Sequence, residues 1–257
     1  MNHNAFAGFA QVDPAQVAIV GDAWAASIHD LRVWPEAPPA SVFLPGTAAP
    51  IDRRGRGTVH YLDSPVGQAV CRHYRRGGLL APLLGDRYLW LGAAATRPFR
   101  EFRLLAELHA AGLPVPRPLA ARFERDLLCY RADLITLRIP SVVTLAELLR
   151  RAPASIDWPG LGETIASFHR LGVWHADLNA HNVLYSAAQA GKDRVLAWSL
   201  IDFDRGRRRP VDRVWPAGNL RRLWRSLNKL GAMDLVPEFA ETAWPCLLAA
   251  HARALCA

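Results

Sequence analysis

Eight consecutive residues, His175-Ala176-Asp177-Leu178-Asn179-Ala180-His181-Asn182, have the types and spacing of a phosphoryl-transfer loop, and the apolar run Val183-Leu184-Tyr185 follows directly. The pattern is H-x-D-L-x-x-x-N. Phosphoryl transfer needs a carboxylate that orients the attacking hydroxyl and accepts its proton, with oxygen ligands for magnesium bridging the phosphates. Asp177 is the expected catalytic base and Asn182 the expected first metal ligand. Twenty residues beyond Asn182, Leu200-Ile201-Asp202-Phe203-Asp204 reads as a strand running into an Asp-Phe pair, which makes Asp202 the expected second metal ligand. The third position is Asp204, not glycine, so a glycine-hinged switch is not expected and Asp204 is a further candidate for the metal. Singly, His-x-Asp can be a turn and an Asp after a strand a helix cap. Their joint occurrence, in this order and interval, points to a kinase.

Nucleotide-gripping residues are less regular. Lys192 and Lys229 are the only lysines, so the strand lysine of the V-A-I-K pattern is absent. Ala69-Val70-Cys71-Arg72 occupies the matching place, and Arg72 can grip the α and β phosphates as a fork; Arg75 is the rival. The acid that would hold this cation is Glu101, near the start of PFREFRLLAELHAA, with Glu107 as the alternative. Gly55 and Gly57 are candidates for a loop over the phosphates, although a lone GxG is a weak signal. The plain alternative is that Arg72, Arg75 and Glu101 are exposed surface charges.

These side chains need two kinds of scaffold. GRGTVHYLDSPVGQAVCRHYR reads as an antiparallel hairpin around Asp63–Gly67, its first strand directly after the glycines. Phe102, Leu105 and Leu108 fall at helical spacing over 98–111, and Gly112 before Pro114 stops that helix. LLCYRADLI is strand-like, IPSVVT a connection, and LAELLRR and WPGLGETIASFHRLG are helical. The expected class is therefore α+β and bilobal. Residues 1–138 form an N-lobe of antiparallel sheet with one main helix, and residues 139–257 a mainly helical C-lobe. Residues 34–50, rich in proline and alanine, read as an irregular connection; regular structure is expected from about residue 55, and residues 1–50 carry no assignment. The last helix expected, Leu220 to Leu230, has leucines and Trp224 on one stripe and basic residues opposite. It either packs on the C-lobe or lies in a membrane interface.

With 51% hydrophobic and 21% charged residues the chain is an ordinary globular one, which argues against wholesale disorder. The net charge of +8 is almost wholly arginine, a residue that forks onto phosphate or carboxylate, so an anionic partner is expected. Cys71, Cys129, Cys246 and Cys256 form neither a CxxC pair nor a metal-ligand spacing, which disfavours a disulfide framework or zinc site. His169, His175 and His181 recur every six residues, a spacing with no metal-ligand logic; His175 is better read as a buttress of the loop. No apolar stretch approaches the ~18 residues of a membrane span, and the N-terminus lacks signal-peptide character, so a cytoplasmic location is expected. No A-P-E motif occurs in the 53 residues after Asp204, which disfavours a polypeptide acceptor.

Five stretches, AVCRHYRRGGL, REFRLLAELHAAGLPVPRP, YRADL, HADLNAHNVL and LIDFDRGR, together resemble bacterial Kdo (3-deoxy-D-manno-octulosonic acid) kinases over roughly residues 55–210. The resemblance implies a protein-kinase-like fold, ATP and Mg2+, and phosphorylation of the 4-hydroxyl of the Kdo sugar on Kdo-lipid IVA. It also implies peripheral attachment to the cytoplasmic face of the inner membrane, an anionic surface; neither a nucleic acid nor a protein partner is expected. Asn179 stands where protein kinases place a charge-stabilising lysine, so that role must pass to another residue. Arg75, Arg76, Arg205, Arg207, Arg208 and Arg209 are candidates for anion capture. Competing readings are a kinase of another small acceptor, such as a heptose, aminoglycoside or choline, and a non-catalytic nucleotide- or nucleic-acid-binding protein.

Overall fold

The computed structural model describes residues 17–21, 59–64, 66–75, 85–190, 197–212 and 214–257. The chain divides into two compact units: Met1–Ala106 with Arg117–Arg138, and Glu107–Pro116 with Ile139–Ala257.

In the first unit lie strands β1 (Val17–Gly21), β2 (Val59–Ser64), β3 (Gly67–His73), β4 (Tyr88–Leu89), β5 (Pro118–Asp126) and β6 (Cys129–Leu137), with helix α1 (Arg97–Ala110) between β4 and β5, its last turn already in the second unit. All pairings are antiparallel, in the order β1-β5-β6-β3-β2, and β4 adds to β6. The expected hairpin is present: Ser64 pairs with Gly67 and Val59 with Arg72. Gly55, Gly57 and Arg76 lie outside the described residues. Regular structure begins earlier than residue 55, because Val17–Gly21 runs antiparallel to β5. VAIVG is only five residues long, and a strand that short takes its assignment from its partner, β5, more than from its own sequence.

Alternation on the strands builds the core of this unit. Ala69 and Cys71 of β3 meet Leu119, Ala120 and Ile135. An aromatic cluster joins Phe99 of α1 to Phe123, which in turn contacts Trp90 and Tyr130. Helix α1 begins with Pro98 in its first turn, where a missing N–H costs nothing, and buries Phe99, Phe102, Leu105 and Leu108. It ends as expected at Gly112, whose φ of 76° suits a residue without a side chain.

Helices dominate the second unit. Strand β7 (Val143–Thr144) leads into α2 (Leu145–Arg151), followed by α3 (Trp158–Arg170), β8 (Val173–Trp174), β9 (Val183–Tyr185), α4 (Ala187–Ala190), β10 (Trp198–Leu200) and β11 (Arg207–Arg208). Then come α5 (Val214–Lys229), α6 (Ala232–Leu235), a π-helical turn Phe239–Ala243, and α7 (Trp244–Cys256). Thr144 and Glu147 form a capping box on α2, and Asp157 caps α3 through the Gly160 N–H at 3.1 Å. Helix α5 starts earlier than Leu220, because Asp212 Oδ1 accepts the N–H groups of Val214 and Trp215. It is not the last helix: α7 follows and packs on α3. At that crossing a Cβ on Gly162 would lie 2.3 Å from the Leu247 carbonyl oxygen, so only glycine permits the approach. The segment after α1 joins this unit through the Leu200 N–H, which donates to Pro114 O at 3.0 Å. No helix among the described residues is long and apolar enough to cross a membrane.

Candidate active site

In the first unit, alternation along β3 puts Arg72 and Tyr74 on the same face, toward α1. Glu101, one turn into α1, meets them there with its side chain 2% exposed. Arg72 Nη2 donates to Glu101 Oε2 at 2.5 Å and to Tyr74 Oη at 3.2 Å. The Tyr74 hydroxyl donates to the same carboxylate oxygen, and the Arg72 guanidinium lies 4.8 Å from the Tyr74 ring centroid. A buried carboxylate is tolerable only when so satisfied. Arg75 and Glu107, the rival pair, are both exposed. Arg72 is thus the strand cation held by a helix acid, and its side chain remains 24% exposed, enough to present donors to a ligand.

The opposite face of the same strand carries a second network. His73 Nδ1 contacts Asp133 at 2.7 Å and its Nε2 contacts Asp86 at 3.0 Å, while Arg122 Nε donates to Asp133 at 3.0 Å. Burial opposes charge on His73, yet its hydrogen bonds to Asp133 and Asp86 prevail and raise its pKa. Arg72 is therefore held in a strand pinned on both faces.

The phosphoryl-transfer loop lies in the second unit between β8 and β9. His175 is 2% exposed; its Nε2–H donates to Ile201 O at 3.0 Å, and its Nδ1 accepts the Asp177 N–H at 3.1 Å. One neutral ring thus ties the loop to the segment that carries Asp202. Burial, against the pull of the Ile201 carbonyl and of Asp202 and Asp177, lowers the His175 pKa and keeps the ring neutral. The Asn182 side-chain N–H donates to Asp177 O at 2.9 Å, so the amide oxygen is the atom aimed away from the loop backbone. Its carbonyl accepts the Ile201 N–H at 3.0 Å, extending the β9–β10 ladder by one rung and bringing Asn182 and Asp202 to one end of that sheet.

Asp202 takes a left-handed backbone with φ of 63°, a conformation that Asp adopts more readily than most residues but that still costs free energy. The next residue explains why it holds. Phe203 is fully buried, stacked on Phe168 at 5.8 Å and against the His175 ring at 4.7 Å. Asp204 sits beside Arg205 at 3.9 Å.

Sequence reasoning did not find what holds the loop from the other side. Three residues of α5, at positions 219, 222 and 226, fall on one helical stripe and all bond to the loop. Asn219 accepts the His175 N–H at 3.2 Å and donates to His175 O at 2.7 Å. Arg222 Nη1 donates to Asp177 Oδ1 at 2.8 Å, and Ser226 Oγ accepts the Ala180 N–H at 3.1 Å. Asn219 is itself held by His169 Nε2 at 3.3 Å, whose other nitrogen meets His251 at 2.8 Å. The amphipathic helix thus packs within this unit, as one of its two readings expected, and its stripe carries polar clamps among the leucines.

The profile of the lipopolysaccharide kinase (Kdo/WaaP) family matches residues 47–250. The chain belongs to that family. Within the Kdo/WaaP family, a 3-deoxy-D-manno-octulosonic acid kinase of Xanthomonas axonopodis pv. citri (strain 306) is 49% identical over 195 residues, 74% of this chain and 76% of the relative. The protein of the same name from Stenotrophomonas maltophilia (strain R551-3) is 48% identical over 183 residues, 71% of each chain. Among solved structures, WaaP in complex with acyl carrier protein matches with a TM-score of 0.50 at 17% identity, covering 77% of this chain and 75% of that one, a likeness of fold.

Magnesium, which the kinase family chemistry calls for, fits the Asn182 and Asp202 pair. Mg2+ binds through one or two protein oxygens and substrate phosphates rather than an all-protein cage. One amide oxygen turned outward and one carboxylate held at the adjacent strand end are such a donor set.

Proposed function

We infer that the protein transfers the γ-phosphoryl group of ATP to the 4-hydroxyl of the Kdo sugar of Kdo-lipid IVA. The observation that carries this reading is the convergence of Asp177, Asn182 and Asp202 through the His175 bridge and the β9–β10 ladder. Nearly half-identical relatives named 3-deoxy-D-manno-octulosonic acid kinase support the acceptor.

In the second unit Asp177 orients the acceptor hydroxyl and takes its proton as the oxygen bonds to the γ-phosphorus and the bond to the β-phosphate oxygen breaks, releasing ADP. Asn182 and Asp202 would hold magnesium, which when bound would neutralise phosphate charge. In the first unit Arg72, fixed by Glu101 and Tyr74, grips the α and β phosphates in place of a lysine. Gly55 and Gly57 are proposed to cover them.

The protein works as a peripheral protein on the anionic cytoplasmic face of the inner membrane. Support comes from the arginine-dominated charge of +8 and from exposed Arg207 and Arg208 next to Arg209. Arg207 and Arg209 both lie against the Trp174 ring, at 5.1 and 4.4 Å. Labelled ATP offered with Kdo-lipid IVA, a heptose, an aminoglycoside and choline tests the acceptor. Label on Kdo-lipid IVA alone supports the reading, and turnover of another acceptor with none on Kdo-lipid IVA overturns it.

A further inference from the structure

Arg222 of α5 sets a cation directly on the Asp177 carboxylate, Nη1 to Oδ1 at 2.8 Å. Its helix is clamped to the loop one turn before, at Asn219, and one turn after, at Ser226, so its Cα position over Asp177 is fixed. Its head group is not fixed in the same way. The Arg222 side chain is 47% exposed and the Asp177 side chain 50% exposed, so the pair contributes little to stability. A solvent-open ion pair on the carboxylate that must receive the acceptor hydroxyl is better explained by the acceptor than by the fold.

A guanidinium carries five N–H donors in a planar fork, and one nitrogen, Nη1, reaches Asp177. The remaining edge can take a second carboxylate in bidentate geometry without releasing Asp177. The acceptor assigned above is a sugar acid: its carboxylate and ring hydroxyls sit on one small ring, so a hydroxyl bound at Asp177 carries the carboxylate to within reach of this helix. We propose that Arg222 is the specificity-determining residue that binds the carboxylate of the acceptor sugar while holding Asp177 toward its hydroxyl. The assignment rests on the reading of the acceptor as a Kdo sugar. It also gives α5 a purpose, since the helix that anchors the loop backbone then reads the substrate as well.

The test is a cycle between protein charge and substrate charge. Wild type, Arg222→Gln and Arg222→Lys are each assayed with Kdo-lipid IVA and with its Kdo methyl ester, varying the acceptor at saturating ATP and magnesium and then varying ATP at fixed acceptor. Wild type should prefer the free acid by tenfold or more in kcat/KM. Arg222→Gln should lose that preference through a raised acceptor KM with an unchanged KM for ATP, and Arg222→Lys, a charge without a fork, should recover part of it. A preference for the free acid that persists in Arg222→Gln overturns the proposal, as does a loss confined to kcat, which would make Arg222 a transition-state residue. Wild type that transfers phosphate to neither compound overturns the acceptor reading instead, a result visible before any variant is compared.

Discussion

Replacing Arg72 by alanine removes the proposed charge-assisted fork on the nucleotide and leaves Glu101 buried without its cation. Each such bond is worth about 1.5–3 kcal/mol, so the KM for ATP should rise roughly ten- to a hundredfold, with the acceptor KM little changed. Steady-state kinetics check this, and an unchanged ATP response would shift the role to Arg75. Glu101→Gln, which keeps a polar contact but not the charge, should give a smaller rise of the same kind. Arg72 and Glu101 were legible because each sits at a fixed offset within a local pattern, the second strand of a hairpin and the first turns of the helix after it. Arg222 and Asn219 were not legible. They meet Asp177 and His175 across more than 40 residues of sequence, and one arginine among so many carries no label until the fold places it over a carboxylate.

Helices α3, α5 and α7 hold the loop, and two consequences follow from how they pack. Alanine is a better helix former than glycine, yet Gly162→Ala should destabilise the protein, because its methyl would press into the Leu247 carbonyl. A loss of about 1–3 kcal/mol in chemical denaturation is expected, and a gain would mean the helices can move apart freely. The second consequence concerns protons. Burial, aided by the neighbouring His251, lowers the His169 pKa to about 3, so the folded state refuses a proton that the unfolded chain takes up near 6.5. His175 and His251 are lowered by burial in the same sense. The stability of this buried chain is fully present above pH 6.5 and is lost as pH falls below it, at about 1 kcal/mol per pH unit for His169 alone. His73 has the opposite sign, since its pKa is raised, and its contribution fades instead as pH rises through the folded value. Thermal midpoints at pH 7.5 and 5.5 should fall with acid in wild type and fall less in His169→Gln. Helical periodicity announced α1 and α3, whereas β1 and β4 escaped notice because short strands take their meaning from partners, and β5 because its charged residues Arg122, Glu124, Arg125 and Asp126 break up the apolar pattern. The polar stripe on α5 escaped because a leucine pattern looks the same whether or not an asparagine and a serine are clamps.

Taken as a molecule, the chain has two units, a sheet unit with the Arg72–Glu101 pair and a helical unit with the loop and the proposed magnesium ligands. Length, composition and the order of motifs were sufficient for the α+β class, and five resembling stretches led to the family to which the chain belongs. The arginine bias makes physical sense for a protein whose proposed acceptor is an acidic sugar on a phosphorylated lipid. The most direct test incubates the purified protein with Kdo-lipid IVA, ATP and magnesium, follows the lipid by mass spectrometry, and runs Asp177→Asn alongside. The account predicts the gain of one phosphoryl group on the Kdo sugar, slowed by about a hundredfold or more in the variant. A lipid whose mass does not change while the protein binds ATP would contradict it, and so would a variant as fast as wild type.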